Sequence, residues 1–371
     1  MIAKPVLKHD IASVVAKFQL YGDFIHAEPF GNGHINDTYL AVLNYGGHAV
    51  KYTVQRINHN IFKNPAGVMS NIFSVTGHIR EKLLAQGIEY ASRRVLTFIP
   101  TKDNKQVYQD PQGNFWRMYI FVNRAKTYDV IEKPIHAYKA AKAFGEFQGL
   151  LSDFPGETLH ETIPNFHNGQ TRYQAFLDAL QKDVKGRAAS VKKEIEFLQS
   201  RAPMFDKLPG MIARKEIPIR VTHNDCKINN VLLDMETDDG ICVIDLDTIM
   251  PGLVLYDFGD MIRTSTNTGA EDETDLSKIN MSFENFKQVA RGYIEAAGGF
   301  LTPSERENLV FSGKLITLII GTRFITDYLA GDVYFKIKHP DHNLDRCRTQ
   351  FKLVESIESQ QEAMEKYLAS L

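Results

Sequence analysis

The stretch Val221-Thr222-His223-Asn224-Asp225-Cys226-Lys227-Ile228-Asn229-Asn230-Val231-Leu232-Leu233 limits the possible folds more than any other part of the chain. Ile217 to Val221 reads as a strand before it, and Val231 to Leu233 with Ile241 to Ile244 reads as a hairpin after it, ending in Asp245-Leu246-Asp247. Between the strands sits a loop of pattern H-x-D-x-K-x-x-N. A bare H-x-D-x-x-x-x-N match is common by chance, and the flanking strands are what make this one specific.

The residue types point to phosphoryl transfer. That reaction wants one carboxylate to orient and deprotonate an acceptor hydroxyl, and an amide plus a second carboxylate to hold Mg²⁺ across nucleotide phosphates. Asp225 fits the first role, and Asn230 and Asp245 fit the second. Lys227, two residues after the base, can stabilise charge on the transferred group. Asp247 lies on the same side of its strand as Asp245, as either a further metal ligand or a hydrogen-bond acceptor. Asp257-Phe258-Gly259 imitates a metal-binding triplet but comes after a Pro251-Gly252 turn, too far from the loop. Asp257 and Asp260 are instead expected to buttress the loop.

With 371 residues, the chain suits two lobes around a cleft. From Phe24 to Val122, period-two runs alternate with Gly, Asn and Asp turns: a hairpin over Thr38 to Ile57, a helix over Val68 to Ala85, and strands at Arg94 to Ile99, Val107 to Gln109 and Phe115 to Val122. Beyond Asn123 the spacing is helical, and Thr302-Pro303-Ser304-Glu305 should open a helix running to Leu329. The expectation is α+β, with a β-rich nucleotide-binding lobe over residues 1–122 and a mainly helical catalytic and substrate-binding lobe over 123–371. A formal net charge of -2 with 24% charged residues gives no grip for nucleic acid or an anionic membrane. The longest apolar run, Leu315 to Ile320, is too short to span a bilayer. Three cysteines without a C-x-x-C pair, and a beginning without a signal-like apolar core, suit the cytoplasm.

In the first lobe, Phe30-Gly31-Asn32-Gly33-His34-Ile35-Asn36-Asp37 precedes a strand, as a phosphate-covering loop would. Glycines there let backbone N–H groups approach an anion. Gly31, Gly33 and Asn36, which stands in the third glycine position, are the candidate nucleotide contacts. A strand cation should reach the phosphates. Arg56 is preferred because it lies near the strand's end, with Lys51 as the alternative; Glu81 is the candidate partner on the following helix.

His223 to Arg263 resembles the aminoglycoside phosphotransferase and choline kinase superfamily. More closely, the chain resembles the N-acetylhexosamine 1-kinase family, through Phe30 to Tyr39, Val54 to Asn58, His223 to Leu233, Val243 to Arg263 and Thr322 to Leu329. The resemblance implies a two-lobed protein-kinase-like fold, ATP and Mg²⁺, and phosphorylation of GlcNAc or GalNAc at the anomeric hydroxyl. It places Arg323 and Tyr334 against the sugar, whereas by chemistry alone Arg323 could pair with Asp327 one turn away. A protein kinase is disfavoured because no A-P-E follows the metal Asp and because helical material such as Tyr173 to Leu198 precedes the loop. Choline, homoserine or an aminoglycoside remain alternative acceptors. A non-catalytic scaffold is disfavoured by the intact Asp225, Lys227, Asn230 and Asp245 set.

Overall fold

The computed structural model describes residues 7–31 and 35–371. In the first part of the chain, β1 (Asp23–Pro29), β2 (Asp37–Tyr45), β3 (His48–Ile57), β4 (Tyr108–Gln109) and β5 (Phe115–Ile120) form an antiparallel sheet of order β1-β2-β3-β5-β4. Gly46 and Gly47 turn β2 into β3 with φ of 59° and 89°, values that the two-residue hairpin requires and that glycine adopts without a Cβ clash. Register fixes which face each side chain takes. Tyr39 pairs with Val54, and Val54 with Met118. These residues, with Ala41, Leu43 and Trp116, bury against helix α1 (Ile11–Val15). Residues one step along each strand therefore face the other way, toward the second lobe.

Helix α2 (Pro65–Ala85), capped by the Asn64 side chain on Gly67 N, packs beneath that inner face. Arg94 to Ile99 does not form the expected strand. A short helix α3 (Ala91–Arg94) takes its beginning, because Arg93 is anchored on Asp234 at 2.6 Å, and only a single bridge from Phe98 to Tyr119 reaches the sheet.

Strand β6 (Ala125–Lys126) pairs with β8 (Val231–Asp234), which pairs with β9 (Gly240–Val243). β7 (Arg220–Thr222) pairs with β10 (Met250–Gly252). Around these ribbons lie helices α4 (Pro134–Leu150), α5 (Gly169–Lys182), α6 (Lys192–Ser200), α7 (Met204–Ala213), α8 (Val254–Thr266), α9 (Phe283–Ala297), α10 (Pro303–Glu307), α11 (Leu309–Ala330) and α12 (His342–Ala369). The capping box at Thr302 and Glu305 forms as its sequence dictates, but the helix it opens stops at Glu307 and restarts at Leu309. Glu305 turns inward to pair with Arg220 at 2.8 and 3.0 Å, and Asn308, with φ of -100°, bonds Ser304 O at the break. Helix α11 has the length and hydropathy of a membrane span, yet 78% of its most apolar window is buried inside the protein, against α5, α8 and α12. It is the central core helix of this lobe.

Candidate active site

The loop between β7 and β8 is fixed by backbone hydrogen bonds to buried side chains. Asp257, at the start of α8, accepts from His223 N at 2.9 Å, Asn224 N at 2.7 Å and Gln148 Nε2 at 2.7 Å. Burial raises its pKa, while its three N–H donors act against that shift by favouring the ionised form. The D-F-G-like Asp257 thus shapes the loop. Asn224 takes the left-handed conformation, φ 65°, and its amide donates to Thr222 O and Thr248 O. His223 Nδ1 accepts from Asp225 N at 3.2 Å, which leaves Nε2 to donate to Ile244 O at 2.8 Å. Cys226 is buried with its thiol pKa pushed far up, so it packs and does not react.

This scaffold presents Asp225. Its Oδ2 accepts from Asn230 Nδ2 at 2.9 Å and meets Lys227 Nζ at 2.9 Å, whereas Oδ1 has no partner among the described residues. Burial opposes ionisation of Asp225, but Lys227 beside it and the hydrogen bonds from Lys227 and Asn230 outweigh that and hold its pKa below the usual carboxylate value. Lys227 is correspondingly pushed up by Asp225. Asp225 is therefore ionised at neutral pH with one oxygen open.

Asn230 spends its amide N–H groups on Asp225, also reaching Asp225 O at 2.8 Å, so its Oδ1 remains without a described partner. Asp245 is held in the left-handed region, φ 60°, a backbone strain typical of functional positions, and its carboxylate makes no described hydrogen bond. Burial, then the Asp247 and Asp225 carboxylates, push its pKa up to about 6 against Lys227 and Arg117. An amide oxygen and a carboxylate without donors, next to excess negative charge, fit a hard divalent cation that keeps some of its water.

Asp247 is a correction to the metal set. Its side chain is 3% exposed, and Arg117 on β5 grips both oxygens, one at 3.1 Å, while Asn36 Nδ2 donates to Oδ2 at 2.6 Å. With three donors on its two oxygens, Asp247 clamps the sheet to the catalytic segment. Asn36 is likewise committed, its Oδ1 accepting from Asn58 N at 2.9 Å. Arg56 is a second correction. It pairs with Asp37 and Trp116 across the sheet, on the α1 face, and its Nε bonds Asp37 at 2.6 Å, away from the cleft. Lys51 and Arg56 are an odd number of residues apart and must point oppositely. The inner-face cations are Lys51 and Arg117, and Arg117 was not legible because its partner lies on a distant segment. Glu81 is exposed and makes no ion pair among the described residues. Gly31 has φ of 77°, suited to a turn after β1, and Gly33 lies outside the described residues.

Across the cleft floor, Arg323 on α11 lies over the rings of Phe166 at 5.1 Å, Phe335 at 5.5 Å and Tyr334 at 5.8 Å, with Tyr334 Oη at 3.5 Å. Asp327 is not its partner, because it accepts from Val333 N, Tyr334 N, Phe335 N and Asn343 Nδ2. Phe166 also tethers α5, since Arg172 donates twice to its carbonyl at 3.2 and 3.0 Å. His167 then reaches Asn224 O at 2.9 Å, directly behind Asp225. Burial lowers its pKa to about 4, so it is neutral, and its buried Nδ1 has no described partner.

A small sheet over a helical lobe, with a base, a lysine, an amide and a carboxylate at their junction, defines a phosphotransferase of the two-lobed kinase-like class. The family model described as "Phosphotransferase enzyme family", APH, matches residues 26–280, more than half of the chain, and the protein belongs to that family. Solved structures with similar folds include an aminoglycoside phosphotransferase from Alicyclobacillus acidocaldarius, TM-score 0.64 at 13% identity, covering 100% of this chain and 98% of that one. A microcompartment-associated aminopropanol kinase is similar at TM-score 0.59 and 15% identity, covering 96% and 98%. Spectinomycin phosphotransferase, solved with ADP and spectinomycin, is similar at TM-score 0.59 and 15% identity, covering 97% and 99%.

Proposed function

We propose that the protein transfers the γ-phosphoryl group of ATP to the anomeric hydroxyl of an N-acetylhexosamine, giving the sugar 1-phosphate, ADP and a proton, in the cytoplasm. The observation that carries phosphoryl transfer is Asp225, ionised, fixed through Oδ2 by Lys227 and Asn230, and open at Oδ1. Its lowered pKa makes it a weak base. It orients the hydroxyl and takes the proton late, as a loose phosphoryl-transfer transition state needs.

Asn230 and Asp245 are the residues that would hold Mg²⁺, which when bound neutralises charge on the β- and γ-phosphates. Lys227 supplies positive charge beside the transferred group. Lys51 and Arg117 are the cations on the sheet face that looks toward the nucleotide. The acceptor assignment is supported by the sequence resemblance and by the position of Arg323 over three aromatic rings, where a guanidinium can donate to sugar oxygens while the rings cover apolar sugar faces.

The deciding experiment incubates the purified protein with ATP, Mg²⁺ and a panel of hexoses, N-acetylhexosamines, amino alcohols, homoserine and aminoglycosides, and reads product mass and phosphate position by NMR. Phosphate at C1 of an N-acetylhexosamine is the expected product. Phosphate at C6, or product only from a cationic acceptor, rejects the assignment and leaves the Asp225 chemistry standing. Arg323→Ala should raise KM for the sugar more than KM for ATP, because unpaired polar groups remain in a site built to hydrogen-bond the acceptor.

A further inference from the structure

Two guanidiniums share the acceptor side of the cleft, neither with an ion-paired carboxylate among the described residues. Arg323 lies over the ring of Phe166, and Arg172 is anchored on the carbonyl of the same residue. Among the described residues neither makes an ion pair, although their neighbour Arg263 takes Asp260 at 2.8 Å and Glu271 at 3.1 Å. Phe166 precedes His167, whose bond to Asn224 O joins this pair to the base of Asp225. Burial and then the charge of Arg323 lower the Arg172 pKa to about 10, as two close, partly desolvated like charges require. Such a pair is costly unless a ligand supplies acceptor oxygens between them.

We propose that Arg172 is a second specificity-determining residue that, together with Arg323, reads an sp² oxygen on the acceptor, an amide carbonyl or a carboxylate. A carbonyl or carboxylate oxygen has two in-plane lone pairs and can take one N–H from each guanidinium. A cationic acceptor meets two like charges at this wall and is rejected. The inference rests on the sugar kinase reading for its most direct substrate, an acetamido sugar, and goes beyond it in naming the residue that recognises the acyl group.

The test is steady-state kinetics of the full chain with ATP and Mg²⁺, comparing wild type, Arg172→Ala and Arg172→Lys on N-acetylglucosamine, glucose, glucuronate and choline. Thermal unfolding and KM for ATP serve as controls for the fold. Wild type should prefer an acceptor carrying the sp² oxygen. Arg172→Ala should raise KM for that acceptor roughly tenfold more than it raises KM for glucose, the usual loss for a hydrogen bond to a charged group. Arg172→Lys, which keeps the stem and charge but not the fork, should fall between them. A merely structural Arg172 would weaken all acceptors alike, so an unchanged preference ratio in both variants overturns the inference and leaves the N-acetylhexosamine assignment intact. A preference for glucuronate that Arg172→Ala removes supports the inference and rejects that assignment. A preference for choline overturns the inference.

Discussion

Removing the Asp247 carboxylate separates a structural clamp from a metal ligand. In Asp247→Leu the Arg117 guanidinium, whose side chain is 2% exposed, loses both partner oxygens and stays buried. An uncompensated buried charge costs about 3–5 kcal/mol. The lost bond from Asn36 adds about 1 kcal/mol. Against a total stability of about 5–15 kcal/mol, such a loss is about a quarter or more of the margin. It corresponds to a fall of roughly 5–8 °C in Tm for a chain of 371 residues. In Arg117→Met with Asp247→Leu, both charges are replaced by apolar groups, and about 2 kcal/mol or more of the loss should return, since replacing a whole buried pair is often neutral. Calorimetry on the single and double variants reads the stability, and titration of Mg²⁺ with a nucleotide reads the metal site. An Asp247→Leu protein that melts like wild type but binds Mg²⁺-nucleotide tenfold more weakly would refute the clamp and return Asp247 to the metal.

Asp225→Asn keeps the shape of the loop and removes the base, so kcat should fall by roughly 10² to 10⁴ with little change in nucleotide affinity; unaltered turnover contradicts the assignment. Asp245→Ala should abolish activity and weaken Mg²⁺-nucleotide binding, with melting close to wild type as the control. The pKa of Asp245 is raised to about 6, so protons compete for this carboxylate below that pH. Mg²⁺-dependent nucleotide binding should weaken roughly tenfold between pH 7 and pH 5, and a flat profile by calorimetric titration would contradict a raised Asp245 pKa. Asp257→Ala leaves three donors unpaired and should lower stability by about 3 kcal/mol or more, detectable in urea unfolding; normal stability with lost Mg²⁺ binding would exchange the roles of Asp257 and Asp245.

The catalytic loop was legible because its residues are adjacent in sequence and framed by strands whose alternation is plain. The hairpin over residues 37–57 was legible for the same reason, with two glycines at its turn. Sheet faces were harder to read. Val54 could cover a nucleotide or a core, and only its pairing with Tyr39 and Met118 against α1 shows which, taking Arg56 with it. The clamp joins Arg117 to a residue 130 positions later, and no local pattern encodes such a pair. The break before Leu309 is also tertiary, because Glu305 caps one helix while pairing with Arg220 on a strand. Arg172 reads as a surface charge on an amphipathic helix until Phe166 and Arg323 are seen beside it.

The bonds around Asp257 reach further than the loop. Gln148 on α4 donates to Asp257 and accepts from Tyr293 Oη on α9 at 2.6 Å, so the His223 and Asn224 amides are tied through one carboxylate to two packed core helices. A loop held only by its own turns would breathe independently, exchanging its amide hydrogens in minutes. Here those two hydrogens can leave only when α4, α8 and α9 part, so their exchange should be among the slowest in the chain and follow the global unfolding free energy. The carboxylate proposed as the base thus stands next to amides expected to open only with the core, on a support that substrate entry need not disturb.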